Sequence, residues 1–167
     1  MRFTVDQPIA APVERVEEAF VDPGFYKALG AMPNIGDPEI LECTERDDDV
    51  YLRVRYAFTG ELAAPARRVL DPAKLTWIVE STVDRSTRTT AFRMLPDHYA
   101  DRLECAGSYT LAPADGGTTT QHMAGELRVN YPVVGRLAER GIVLGLKEHI
   151  AQEAHVIERW VAGEETT

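Results

Sequence analysis

From residue 38 to residue 129 the chain keeps a hydrophobic period of two, and from 131 to 161 it changes to a helical one. "DVYLRVRYAFTG" sets Val50, Leu52, Val54, Tyr56 and Phe58 on one face and Tyr51, Arg53 and Arg55 on the other. That alternation belongs to a strand with one dry and one wet side. "EILECTER" precedes it across "RDDDV", whose aspartates read as a solvated hairpin tip. "LTWIVEST" (75–82) and "RTTAFRML" (88–95) flank the polar turn "VDRS". In "DRLECAGSYTL", Leu103, Cys105, Tyr109 and Leu111 share a face, with Gly107 expected at a bulge or bend. "TTTQHMAGELRVN" alternates Met123, Leu127 and Val129 with polar neighbours. Strands joined by hairpins make an antiparallel sheet, and its dry face needs a cover.

The cover is "YPVVGRLAERGIVLGLKEHIAQEAHVIERWV", residues 131–161, about 45 Å of helix at 1.5 Å per residue. Ile142, Leu146, Ile150, Ile157, Trp160 and Val161 fall in one broad stripe, the face to lay on the sheet. Val134, Leu137, Gly141 and Leu144 form a second stripe, far around the axis. Gly135, Gly141 and Gly145 together forfeit about 3 kcal/mol of helix propensity. Two readings offset that loss. Either backbones pack closely there or the helix proper starts later, or the missing side chains at Gly141 and Gly145 widen an internal pocket. Ahead of the sheet, "RFTVDQPI" reads as a first strand and "APVERVEEAFVDPGFYKALG" as two short helices broken at Asp22-Pro23-Gly24. "LAAPARRVLDP" (62–72) reads as an edge strand or as a loop held by its prolines.

At 167 residues and 44% apolar, the chain is expected to be one globular domain, 1–167, with 162–167 a frayed tail. No apolar run reaches bilayer length and "MRFTVDQPIAAP" lacks a signal peptide's apolar stretch, so a cytoplasmic protein is expected. A net charge of −9 argues against nucleic acid or an anionic membrane as partner. Cys43 and Cys105 are too few for a disulfide framework and read as small buried hydrophobes in a reducing compartment.

Motifs that carry chemistry are missing. No spacing suits a metal, no serine sits in a nucleophile elbow, and no glycine run forms a phosphate loop, so neither catalytic residue, metal nor cofactor is expected. Glu139 and Glu153 fall near the inward stripe. A buried carboxylate there is either an acid–base group with a raised pKa or, more simply, the partner of Arg53, Arg55, Arg93 or Arg102. His149 shares a helix face with Glu153, and His98 lies in a turn within reach of a pocket mouth.

Four strings carry a resemblance: "FTVDQPIAAPVERVEEAFVDPGFY", "ELAAPARRVLDPAKLTW", "GSYTLAPADGGTT" and "YPVVGRLAERGI". Together with the order of elements they resemble the START-like (SRPBCC, helix-grip) superfamily of polyketide cyclases and lipid-transfer proteins. Within it the chain resembles an actinobacterial branch that is a domain of unknown function. The resemblance implies an α+β helix-grip fold. A curved antiparallel sheet of six to seven strands wraps around the long C-terminal helix, with two short helices after strand one and a cavity between sheet and helix. Members bind steroids, lipids, quinones, polyketides or plant hormones, and some are enzymes, so the fold alone does not choose.

The expected function is binding or transport of an apolar small molecule, lipid, polyketide or isoprenoid-like, in that cavity. Its wall would come from Val54, Tyr56 and Phe58, from Trp77 and Phe92, and from Tyr109, Met123 and Leu127. Gly141, Ile142, Gly145 and Leu146 would line the helix side. The alternative is a cyclase, aromatase or dehydratase in which Tyr56, Tyr109, an arginine and His98 hold an enolate or carbonyl. A third reading is an adaptor or a homodimer through the start of the C-terminal helix, motivated by the second apolar stripe. A slip of one residue in register would exchange every lining residue named.

Overall fold

The structure, a computed structural model, describes residues 1–61, 71–132 and 135–163. The first strand β1 (Arg2–Ile9) leads to helices α1 (Val13–Val21) and α2 (Pro23–Leu29). Six strands follow: β2 (Glu39–Arg46), β3 (Asp49–Ala57), β4 (Thr76–Asp84), β5 (Thr89–Pro96), β6 (Leu103–Ala114) and β7 (Thr118–Val129). The chain then forms α3 (Gly135–Val161). A 3-10 turn at Pro72–Lys74 precedes β4, and most of the 62–72 stretch lies outside the described residues.

All seven strands form one antiparallel sheet in the order β1-β7-β6-β5-β4-β3-β2. From β2 to β7 each strand pairs with its sequence neighbour; the turns β2–β3, β4–β5, β5–β6 and β6–β7 are too short for a crossover, while residues 58–75 join β3 to β4. Asp47, at φ 49°, turns the acidic hairpin between β2 and β3. Only β1 departs, pairing with β7 at the far edge, so α1 and α2 carry the chain from one sheet edge to the other. The two helices are separate because Asp22 ends the first and caps the second, accepting a hydrogen bond from the Gly24 N–H at 2.6 Å, with Pro23 in the first turn.

The sheet curves around α3, and Gly107 and Gly125 meet on its inner face. They are direct cross-strand partners on the inner face, and the β6–β7 register runs through them without a break. Of the bulge or bend expected at Gly107, the unbroken register excludes the bulge, and the glycine marks a place of close approach. A Cβ there would overlap the Ala124 carbonyl and the Phe92 ring, and one on Gly125 would overlap the Phe3 ring.

The core lies between the inner face and three helices. Val13, Val16, Ala19 and Phe20 of α1, Phe25, Tyr26 and Leu29 of α2, and Ile150, Ala154, Val156 and Ile157 of α3 are all buried. The burial of α3 is uneven: those four residues lie in its C-terminal half, while Ile142, Val143 and Leu146 earlier in the helix are only partly buried.

The three helix glycines divide. Gly135 is buried and passes so near Val129 that a Cβ would overlap its carbonyl oxygen. Gly141 and Gly145 are exposed, and among the described residues a Cβ added to either meets nothing within 4 Å. Gly135→Ala is expected to lower the melting temperature, through an overpacking cost of about 1–3 kcal/mol. Gly145→Ala is expected to raise it, through a propensity gain of up to about 1 kcal/mol. Thermal melts of the two variants check both.

Candidate functional site

Period-two alternation delivers the inner wall. In β3, Val50, Leu52, Val54 and Tyr56 are buried. The register places Tyr56 opposite Trp77, Ser81 opposite Phe92, Thr90 opposite Tyr109, Tyr109 opposite Met123, and Cys105 opposite Leu127. The strand residues expected to line a cavity thus share one face of the sheet. Phe58 lies one residue beyond β3, in a bridge with Ile35, half-buried and apart from the main core cluster.

The expected helix-side lining included Ile142 and Leu146, which pack partly buried against the core. The expectation fails for Gly141 and Gly145. At about 100° per residue they stand about 140° and 100° around α3 from Leu146, turned away from the sheet. The exposed side of the helix also carries Leu137 and Leu144, 65% and 60% exposed. Of the second apolar stripe, Leu137, Gly141 and Leu144 face outward, and Val134 lies outside the described residues.

Several wall residues are neither on the surface nor fully packed. Trp77, Val79, Phe92, Met94, Ile142 and Leu146 touch the buried core yet keep part of their accessible area. Tyr56 and Trp77 stack with ring centroids 5.9 Å apart and planes 15° from parallel.

Polar groups converge on this apolar wall. Glu153 lies on the inward stripe of α3 between buried Ile150 and Ile157, and retains some accessible area. Burial raises its carboxyl pKa to about 7. His149, one turn earlier, is pushed down to about 4 by the same loss of solvent and stays neutral. Burial pushes the Tyr56 phenol well above its usual range, and the Glu153 carboxylate adds to the shift. Tyr109 is raised by burial too, opposed by a hydrogen bond with Thr90 and assisted by Glu153. Tyr26 behaves likewise through burial, Tyr56, Tyr109 and Glu153, while its hydroxyl donates to the Phe20 carbonyl at 2.9 Å. A carboxyl on α3 is therefore electrostatically coupled to tyrosines from α2, β3 and β6.

The simpler sequence reading of the two glutamates is overturned. Arg53 and Arg93 both bind Glu80 on the outer face, at 3.2 and 2.5 Å. Arg55 takes Glu39 and Asp97, and Arg102 takes Asp101 and the face of Tyr131. Glu139 accepts from the Val129 N–H at 3.0 Å and lies 3.8 Å from the terminal ammonium, a fastening of the N-terminus to the start of α3. Glu153 has no hydrogen-bond or ion-pair partner among the described residues. Strand alternation sends arginines outward, and a carboxylate on the inward stripe of the helix cannot reach them. His98 is exposed between β5 and β6 and takes no part. Cys105 is buried as expected but Cys43 is exposed, because β2 is an edge strand. Tyr26 went unnoticed in the sequence, where "GFYKALG" shows only an apolar helix face.

A family model described as a protein of unknown function (DUF2505) matches residues 4–161. The chain belongs to that family. Among curated proteins, none matches this DUF2505 chain by sequence. Solved structures do match its fold. One is TTHA0849 from Thermus thermophilus, at 16% identity and TM-score 0.69, with 98% of each chain covered. The Zhui aromatase/cyclase from Streptomyces sp. R1128 has 18% identity and TM-score 0.69, over 96% of this chain and 95% of that one. Norcoclaurine synthase from Thalictrum flavum has 16% identity and TM-score 0.66, over 97% and 86%. These likenesses bear on fold, and the fold of this DUF2505 chain is START-like, or helix-grip. Among its described residues no helix is long and apolar enough to cross a membrane.

Glu153 has a consequence for stability that is open to measurement. Its folded pKa of about 7 stands above the usual 4.5, so below 4.5 it is protonated in both states and carries no penalty. As pH rises through 7 the unfolded chain has released its proton and the folded one must follow, at a cost of about 3 kcal/mol. His149 has the opposite sign: lowered from 6.5 to about 4, it removes stability as pH falls across that interval. The two slopes oppose each other in wild type. Glu153→Gln is expected to melt higher than wild type at pH 8 and to match it at pH 4.5, in thermal melts across that range.

Proposed function

We propose that the protein binds or carries an apolar small molecule, lipid, polyketide or isoprenoid-like, between the inner face of the sheet and α3. The observation that carries this reading is the partial exposure of Trp77, Phe92, Ile142 and Leu146, apolar residues of the inward faces that are only partly buried. A concave wall of aromatic and aliphatic side chains with a few polar groups is what small-molecule sites are built from. The structural likeness to an aromatase/cyclase and to norcoclaurine synthase supports a fold that houses small molecules. The proposed setting is the cytoplasm, where the free thiols of Cys43 and Cys105 would stay reduced.

Native mass spectrometry of the purified protein, set against an organic extract, tests the reading directly. Leu146→Trp tests the location. If the space is empty without ligand, the larger ring is accommodated, the melting temperature moves by only a few degrees, and affinity for an apolar fluorescent probe falls at least tenfold. A large drop in melting temperature with binding retained would assign Leu146 to packing instead.

Glu153 supports a second reading, a cyclase, aromatase or dehydratase. General acid–base chemistry works best with a group whose pKa lies near the working pH, and a carboxyl at about 7 beside tyrosine hydroxyls fits that need. Glu153 here takes the acid–base role, one of the two that its sequence position left open, with Tyr56 and Tyr109 as hydrogen-bonding partners; His98, expected to help hold the enolate or carbonyl, is exposed. On this reading Glu153→Gln and Tyr56→Phe abolish turnover while ligand affinity stays within about tenfold, or roughly 1.4 kcal/mol. Loss of affinity without any turnover in wild type would leave binding as the function.

A further inference from the structure

Glu153 is the exception among the half-buried carboxylates of this fold. Glu17 pairs with Arg88 at 3.3 Å, Glu80 with Arg53 and Arg93, and Glu139 with the Val129 N–H. Glu153 faces inward with neither an arginine, a lysine nor a donor N–H within bonding distance among the described residues. An unpaired carboxylate in a desolvated site is costly, and the cost falls only if it is protonated or given a cation.

The surroundings indicate which cation would fit. The groups electrostatically coupled to Glu153 are Tyr26 from α2, Tyr56 from β3 and Tyr109 from β6, with neutral His149 one turn earlier on the same helix. None carries positive charge. At inward-facing positions of the described strands and of α3 there is no lysine or arginine. The nearby hydroxyls are partly committed, Tyr26 to the Phe20 carbonyl and Tyr109 to Thr90. The stacked Tyr56–Trp77 pair and Phe92 present aromatic rings on the same wall, and a ring face attracts a cation. A carboxylic-acid ligand would bring a second negative charge into a site without a counter-ion. A neutral alcohol would leave the carboxylate unbalanced.

We propose that the ligand of this cavity is an apolar molecule bearing a basic nitrogen, seated with its ammonium group at the Glu153 carboxylate and beside the ring faces of Tyr56 and Trp77. This rests on the binding reading above and narrows it to a ligand class. Association moves protons: the amine keeps its proton, Glu153 must lose one, and so the amine binds more tightly as pH rises from 6 to 8.

Three probes with one skeleton, geranylamine, geraniol and geranic acid, test it by quenching of tryptophan fluorescence at fixed salt. The expected result on wild type is an amine affinity at least tenfold above the alcohol, with the acid weakest. In Glu153→Gln the amine is expected to fall to the level of the alcohol, whose own affinity changes less than threefold. That variant removes one of 27 acidic side chains, so diffuse attraction of a cation to the protein is essentially retained. Trp77→Leu should lower amine affinity more than alcohol affinity. Equal binding of alcohol and amine on wild type, or an amine preference that survives Glu153→Gln, overturns this proposal while leaving the cavity reading standing. Failure of all three probes to bind wild type overturns both.

Discussion

The close approach at the Gly107–Gly125 pair is the constraint on which the rest depends. β6 and β7 pair over their entire length, from Leu103 opposite Val129 to Ala114 opposite Thr118. A ribbon that long, if flat, would not enclose a helix. With no side chains on the inner face at that cross-strand pair, Phe92 from β5 and Phe3 from β1 close over the gap. Strands on both sides are thereby brought round toward α3, and every inward residue of β3 to β7 comes to face the helix.

Burial along α3 divides what that enclosure holds. Its C-terminal half fills the groove with Ile150, Ala154 and Ile157, all at 2% exposure or less, and supplies the cohesion. The N-terminal half packs less completely, with Ile142, Val143 and Leu146 only partly buried. Glu153 lies among the packed residues of the helix, facing tyrosines from three elements. A carboxyl there loses solvent but gains no counter-charge, and desolvation alone accounts for its raised pKa.

Charge is sorted by the same alternation that sorts apolar side chains. Arg53, Arg55 and Arg93 stand on the outer face because their neighbours in the strand stand on the inner one, and each finds an acid there. The ion pairs of the sheet are therefore exposed or half-exposed, worth little individually. The interior is left with hydroxyls, the Gln121 amide, the Cys105 thiol, a neutral histidine and one acid. That separation gives the candidate site its character: aromatic, poor in cations, and able to accept a proton near neutral pH.

Local periodicity was enough to read the architecture. Alternation in β3 to β7, the break at Asp22-Pro23-Gly24 and the long terminal stripe all depend on residues within a few positions of one another, and the wall from Val54 to Leu127 followed from the same period. The partner of Glu153 and the surroundings of the glycines did not follow. Gly135, Gly141 and Gly145 look alike in sequence, yet one abuts the Val129 carbonyl and two face open space. Arg53 and Glu153 are 100 positions apart, and whether they meet depends on which faces of sheet and helix oppose each other. Strand faces and helix faces are determined by the chain locally. Which charge is left alone between them was decided only when seven strands closed around α3, because the presence of a partner is a property of the assembled interior.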